Sequence, residues 1–255
     1  MNVSVLVWAV TCAVILGLFV FDFYAHVRVP HEPTFRESAI WSSVYIGLAV
    51  VFGLVVWWLW GGEFAGEYFA GYVTEKALSV DNLFVFTVIM ATFAVPREFQ
   101  QKLLLIGIVM ALVMRAGFIA VGAAAISTFS WVFYIFGIFL VLTAAKLARE
   151  AGHEKEVEEE RDSRIIALVR RFVTTTDDYD GDKFLTTVDG KRAVTPMLLA
   201  LIAIGFTDLL FALDSIPAIY GLTEEPYIVF TANAFALMGL RQLYFLIGGL
   251  LDRLV

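Results

Sequence analysis

Seven apolar runs, each long enough to cross a bilayer, constrain the fold of this chain more than any other feature. They cover about residues 3–24, 38–60, 68–94, 102–122, 130–149, 195–220 and 228–250. A helix needs about 20 apolar residues to cross the hydrocarbon core, where only helices and closed barrels satisfy their own backbone hydrogen bonds. The sequence therefore predicts an all-α fold, a polytopic transmembrane helix bundle that forms a single domain over residues 1–255.

The composition agrees with that fold class and excludes several functions. Hydrophobic residues make up 60% of the chain and charged residues 17%, whereas soluble domains have about 45–50% and about 25%. The net charge of -7 comes without a basic patch, which argues against a nucleic-acid partner and leaves the lipid bilayer as the expected one. Cys12 is the single cysteine, so a disulfide within these residues is excluded.

The charges of the connecting loops alternate and predict an orientation. Arg28, Arg36, Arg97 and Lys102 fall on one side of the membrane together with the basic loop 150–194, while the intervening loops contain no Lys or Arg. The positive-inside rule places the basic side in the cytoplasm and the N-terminus outside. No Lys or Arg precedes the first apolar run, so we interpret it as a retained span and not as a cleaved signal.

The loop 150–194 has two parts. The first, "EAGHEKEVEEERDSR", is typical of an amphipathic or solvated helix, and the second, "TTTDDYDGDKFLTTVDGKR", predicts turns or a small hairpin. The aspartates of "DDYDGD" lack the spacing and the terminal Glu of an EF-hand loop, which favours a solvated connector over a metal site.

Two ten-residue segments resemble each other. "EKALSVDNLF", residues 75–84, and "DLLFALDSIP", residues 208–217, each place two carboxylates six residues apart, and each precedes a helix with one arginine, Arg115 or Arg241. The copies begin in the third and sixth spans, so three crossings separate them and they run in opposite directions. This is the inverted-topology repeat of many secondary transporters, with copies at about 68–149 and 195–255, the second incomplete.

The carboxylates inside the spans need an explanation, because each charge at a helix centre costs roughly 2.5–3.5 kcal/mol. Two explanations stay open. Lys76, Arg115 and Arg241 can neutralise the acids and join helices, or the excess of acids can bind a cation. Six residues turn an ideal helix by about 600°, so the two acids of one copy point about 120° apart.

The candidate cation ligands are all oxygen donors. They are Asp22, Glu75, Asp81, Asn82, Asp208, Asp214, Ser215 and Asn233. Pro217 can also free backbone carbonyl groups near Asp214, because proline removes a helical hydrogen bond. Such a set suits Mg²⁺, Ca²⁺ or Mn²⁺, and the spacing does not choose among them.

The segments "EKALSVDNLFVF", "FALDSIPAIY", "TANAFALMGLRQLYFLIGGL" and "WVFYIFGIFLVLTAAKLA" resemble the TerC/Alx family of integral membrane proteins over nearly the whole chain. The resemblance implies a multi-pass manganese exporter of the bacterial inner membrane, with Mn²⁺ as transported substrate and no cofactor. It also implies two further spans after Val255, and it matches all eight candidate ligands to family positions. Members often carry a Glu three residues before the acid equivalent to Asp208, where this chain has Gly205.

We therefore expect a secondary transporter that exports Mn²⁺ by alternating access through a carboxylate-lined site at the midplane. Proton uptake by the emptied carboxylates is a hypothesis for the return step. The alternative is a non-transporting membrane scaffold that assists a partner complex, with the charges as structural salt bridges. An enzyme is not expected, because no His-containing metal motif and no nucleophile constellation is visible.

Overall fold

The first two helices begin where the sequence supplies capping side chains. Ser4 Oγ accepts a hydrogen bond from the Val7 N–H at 3.3 Å, and Thr34 Oγ1 accepts one from the Glu37 N–H at 3.2 Å. Both bonds satisfy an N–H group that has no partner within its helix. Gly61 lies between two long helices at φ +96°. Glycine adopts this backbone conformation without strain, so the chain can change direction there.

Helices dominate the computed structural model, which describes residues 1–29, 31–129, 131–132, 134–135, 137–138, 141–142, 145, 175–176, 178–188 and 190–254. The helices are α1 Val5–Asp22 (followed by a π-helical turn, Phe23–Val27), α2 Phe35–Trp60, α3 Gly62–Thr92, α4 Arg97–Thr128, α5 Pro196–Tyr220, α6 Pro226–Met238 and α7 Leu240–Leu254. The strands are β1 Leu185–Val188 and β2 Lys191–Val194. The predicted all-α membrane bundle is confirmed.

Five helical stretches among the described residues are long and apolar enough to cross a membrane. They are Val5–Val27, Phe35–Trp60, Arg97–Thr128, Pro196–Tyr220 and Pro226–Leu250. Helix α3 has 31 residues but carries Glu75, Lys76 and Asp81. The predicted span 130–149 and the first part of loop 150–194 lie mostly outside the described residues, so the seven spans, the domain boundaries and the orientation stay predictions.

The contacts between helices give their relative directions. Glu67 of α3 binds Thr223, just beyond α5, whereas Gly71, one turn further along α3, lies against Ile219. Helices α3 and α5 therefore run antiparallel, as an inverted repeat of their acidic segments requires. Helices α4 and α5 run parallel, because Gly107 lies against Ile204 and Gly122 against Tyr220. The repeat itself stays a prediction.

The expected small hairpin is present, and it contacts the bundle. Strands β1 and β2 pair antiparallel, and Gly190 at φ +75° lies in the turn between them. The Tyr179 hydroxyl donates to the Phe93 carbonyl at 2.7 Å, and the Lys102 ammonium donates to Asp182 Oδ2 at 2.7 Å. These contacts fix the segment that leads into β1 to the corner between α3 and α4.

One predicted span is divided in two. The stretch predicted at 228–250 breaks at Gly239, where α6 ends and α7 begins. The Gly239 N–H turns back to the Leu237 carbonyl, so the regular ladder of backbone hydrogen bonds stops there. The break lies near the middle of the apolar stretch Pro226–Leu250 and places a helix end inside the bundle.

Candidate functional site

Two predicted acids, one from each copy of the predicted repeat, meet at one arginine. The Arg115 guanidinium donates to Asp208 through Nη2–Oδ1 at 2.8 Å and through Nε–Oδ2 at 3.2 Å. Its Nη1 group binds Glu75 Oε1 and lies 3.5 Å from Ser215 Oγ. We call Glu75, Arg115, Asp208 and Ser215 the Arg115 cluster.

The Arg115 cluster lies deep in the bundle, near the midpoints of α3, α4 and α5. Glu75 and Arg115 are 0% exposed and Asp208 is 1% exposed. Two carboxylates and one guanidinium leave the cluster with a formal charge of -1. A bidentate Arg–carboxylate pair holds both partners in a fixed geometry, so the cluster joins the two acidic segments firmly.

Several buried polar atoms around this depth have no hydrogen-bond partner within the described structure. They are Glu75 Oε2, Ser79 Oγ, Thr207 Oγ1 and both amide atoms of Asn233. A buried polar group without a partner costs about 1–3 kcal/mol, so each such group needs an explanation, for example a bound ion, a water molecule or a catalytic role. Ser79 and Thr207 were not predicted; the signals were present, since Ser79 follows Glu75 by four residues and Thr207 precedes Asp208.

The second acid of each copy lies apart from the first. Asp81 is exposed and Asp214 is partly buried, whereas Glu75 and Asp208 are fully buried. The predicted turn of about 120° accounts for the different environments within each copy. Asn82 is buried at 5% exposure and follows Glu75 by seven residues, so it lies on the same face of α3.

Asp22 belongs to a separate polar centre that joins four helices. Its Oδ1 accepts hydrogen bonds from the Tyr45 hydroxyl at 2.8 Å, from Arg241 Nη2 at 2.8 Å and from Gln242 Nε2 at 3.1 Å. Arg241 Nη1 also binds Gln101 Oε1. We call these five residues the Asp22 cluster. Its polar partners were not predicted, because nothing in the spacing of Tyr45, Gln101 or Gln242 singles them out.

Lys76 binds neither cluster, although the salt-bridge interpretation had grouped it with the two arginines. Its ammonium donates to the Ala236 carbonyl at 3.0 Å. Within the described part of the chain, no carboxylate oxygen lies within 4.0 Å of it. The salt-bridge interpretation thus describes Arg115 and Arg241 but not Lys76.

Gly205 leaves room that a neighbour fills. A Cβ atom at this position would overlap the methyl group of Met110. The side chain of α4 therefore occupies the volume where a Glu at position 205 would begin. The absence of the family Glu at position 205 is therefore accompanied by a methionine that fills the space.

Among the described residues, no three His, Cys, Asp or Glu side chains gather closely enough to hold a metal ion. The eight predicted ligands divide instead between the Arg115 cluster, the Asp22 cluster and positions outside both. A complete coordination shell therefore needs neutral oxygens or another arrangement of the helices.

The fold and these buried ion pairs define an integral membrane protein whose helices are joined by charged centres inside the bundle. The family model described as "Integral membrane protein TerC family" matches residues 60–255, and the chain belongs to that family. The comparison with solved structures found no match.

The relatives are bacterial membrane proteins. An uncharacterized membrane protein of Mycobacterium tuberculosis is 54% identical over 256 residues, which cover 100% of this chain and 64% of that protein. One from Myxococcus xanthus is 40% identical over 96% of this chain and 76% of its own length. Alx of Escherichia coli, named as a proposed membrane-bound redox modulator, is 36% identical over 89% of this chain and 72% of its own length.

Proposed function

We propose that this protein is a secondary transporter of the bacterial inner membrane that exports Mn²⁺ from the cytoplasm. The observation that supports it best is the Arg115 cluster, where acids from both copies of the predicted repeat meet at mid-depth. Acids at this depth are expensive and, by default, functional. Transporters with inverted repeats bind their substrates at this depth, between the two halves.

Arg115 defines how the site would work. Its guanidinium and a divalent cation are alternative counter-ions for Glu75 and Asp208, because both neutralise the same two carboxylates. The unpartnered Glu75 Oε2 and the Asn233 amide supply further oxygen ligands of the kind Mn²⁺ accepts. In the proposed cycle, Mn²⁺ displaces Arg115 from the acids, and the guanidinium returns when the ion leaves. Proton exchange for the return step belongs to the same proposal.

Mn²⁺ flux into proteoliposomes, followed with a metal-sensitive dye in the lumen, tests this function. We expect Glu75→Gln and Asp208→Asn each to lower the flux at least tenfold, since each removes a buried carboxylate. Glu32→Gln is the matched control, because Glu32 pairs with Arg97 at an exposed position. Unchanged flux in Glu75→Gln, Asp208→Asn, Asp81→Asn and Asp214→Asn alike would refute the site.

The structure also gives one observation in favour of a scaffold. Glu75 and Asp208 already have a counter-ion in Arg115, as helix-joining salt bridges would. The two functions differ in what they need from the cytoplasmic loop. Deleting residues 153–174 spares Tyr179 and Asp182, which contact the bundle in the intact chain. After this deletion a transporter should keep its flux, whereas a scaffold should lose its partner.

The name of the Alx relatives suggests a third candidate function, which is redox chemistry. These 255 residues contain one cysteine, Cys12, so a redox role would have to proceed without a pair of thiols from this part of the chain. Replacing Cys12 by serine should leave Mn²⁺ flux unchanged, and a loss of flux would favour the redox function.

A further inference from the structure

The broken span described above ends a helix in the middle of the apolar stretch Pro226–Leu250. The last four carbonyl groups of any helix lack partners within it, and together they carry a partial negative charge. At the end of α6, the Gly239 N–H is directed at the Leu237 carbonyl. The Ala236 carbonyl is satisfied from outside α6, by the ammonium of Lys76 at 3.0 Å.

Lys76 occupies this position without an acid beside it. Glu75, its neighbour in the chain, points to Arg115, and in the described structure no carboxylate lies within salt-bridge distance of Lys76 Nζ. Its observed partner is the end of a helix. The ammonium of Lys76 therefore has a backbone carbonyl oxygen at a helix end as its hydrogen-bond partner, the type of ligand that a bound metal cation would use.

Gly239 allows this approach. A Cβ added at Gly239 would lie 3.2 Å from Lys76 Nζ and 3.3 Å from Tyr45 Cβ, closer than most real Cβ contacts. The absence of a side chain at the break thus leaves space for the ammonium. The helix ends at Gly239, and the missing side chain there lets the ammonium of Lys76 reach the helix end.

We propose that the C-terminal end of α6 is a monovalent-cation site separate from the Arg115 cluster, and that the ammonium of Lys76 is its tethered occupant. In other transporters the C-terminal ends of broken helices coordinate a coupling cation such as Na⁺. Here the side chain of α3 takes that place, so the protein needs no free Na⁺ or K⁺ there. This inference concerns the bundle itself and does not depend on the transport of Mn²⁺.

Chemical rescue tests the site on the purified protein in detergent. We expect Lys76→Ala to lower Tm by about 3–8 °C, because a helix end loses a charged hydrogen-bond donor. Propylammonium, which has the atoms that this substitution removes, should raise the Tm of the variant toward the wild-type value. Tetramethylammonium has no N–H group and should have no such effect.

A matched control is Lys102→Ala, since Lys102 binds an aspartate at the hairpin and not the end of a broken helix. Propylammonium and tetramethylammonium should act equally on that variant. An unchanged Tm in Lys76→Ala, or a lowered Tm that propylammonium restores no better than tetramethylammonium, would overturn the proposal.

Gly239→Ala gives a second test, and the single variant does not require Lys76→Ala to fold. Alone, it should lower Tm, because the new methyl group displaces the ammonium. Where Lys76→Ala folds, the same change in that background should cost much less, since neighbours that share an interaction are not additive. Gly117→Ala, where the added atom meets nothing within 4 Å, is the control. A Gly239→Ala variant with wild-type Tm contradicts the arrangement, as does full additivity of the two changes.

Discussion

Arg115 binds two buried carboxylates at once, and its removal would leave both without a counter-ion. We expect Arg115→Met to lower the free energy of unfolding by about 3–5 kcal/mol, the cost of breaking a buried ion pair from one side. Reversible unfolding in mixed detergent micelles measures the change. Arg97→Met, which breaks an exposed pair with Glu32, should cost less than about 1 kcal/mol.

A second substitution distinguishes lost charge balance from lost packing. Adding Asp208→Asn to Arg115→Met removes one of the two uncompensated charges, so part of the stability should return. If the double variant is as unstable as the sum of its single changes, charge balance is not what Arg115 supplies.

Tyr45 tests the Asp22 cluster. Its hydroxyl donates to the Asp22 carboxylate at 2.8 Å in a buried setting. Tyr45→Phe should therefore lower the free energy of unfolding by about 1.5–3 kcal/mol, the range for a hydrogen bond to a charged group. Tyr24→Phe, at an exposed position, should have almost no effect; equal losses in both variants would contradict the role of the hydroxyl.

The sequence predicted the acidic residues of these clusters, but it did not predict which side chains they would contact. The period of the helix shows that Glu75 and Asp81 point in different directions, and their burial differs accordingly. It does not show which neighbouring helix each direction meets. Lys76 illustrates the limit: its charge suggested a carboxylate partner, but a helix end lies closer.

At the scale of helices, close packing of α3 depends on glycine. A Cβ at Gly71 would lie 3.2 Å from Ala232 Cβ and 3.5 Å from an Ile219 methyl group. We expect Gly71→Leu to separate these helices and to lower the free energy of unfolding by about 1–3 kcal/mol, the usual cost of overpacking.

Gly66→Leu is the control within the same helix, because an added Cβ there meets nothing within 4 Å. It should be neutral or slightly stabilising, since leucine favours a helix more than glycine does. The same unfolding measurement serves both variants, and a Gly66→Leu loss as large as that of Gly71→Leu would contradict the packing explanation.

Helices and the hairpin were predictable because long apolar runs and turn residues determine them locally. The break at Gly239 was not. A single glycine inside an apolar stretch usually costs only about 1 kcal/mol and does not end a helix. The contacts of Lys76 and Tyr45 at this point come from α3 and α2, which are far away in the sequence.

The whole bundle must move if the protein works by alternating access. Helices α3 and α6 belong to different copies of the predicted repeat, and Gly71 meets Ala232 between them. In a Cys12→Ser background, a disulfide between Gly71→Cys and Ala232→Cys should block Mn²⁺ flux in proteoliposomes. A reductant should restore the flux, because the cross-link and not the substitutions prevents the motion.

Each single-cysteine variant, treated with the same oxidant, is the control. Its flux should not respond to the reductant, even where the added side chain at position 71 lowers that flux through packing. A cross-linked double variant that still transports would show that α3 and α6 do not separate during the cycle. Such a result would leave the fold unchanged and would exclude this form of the mechanism.

The contact between Gly205 and Met110 couples two positions that lie on different helices. An acid at position 205 overlaps the terminal methyl group of the methionine, so that side chain has to take another rotamer or become smaller. Because the overlapping atom is the flexible end of Met110, either position can change first. Across related chains, the residue types at the two positions should therefore vary together.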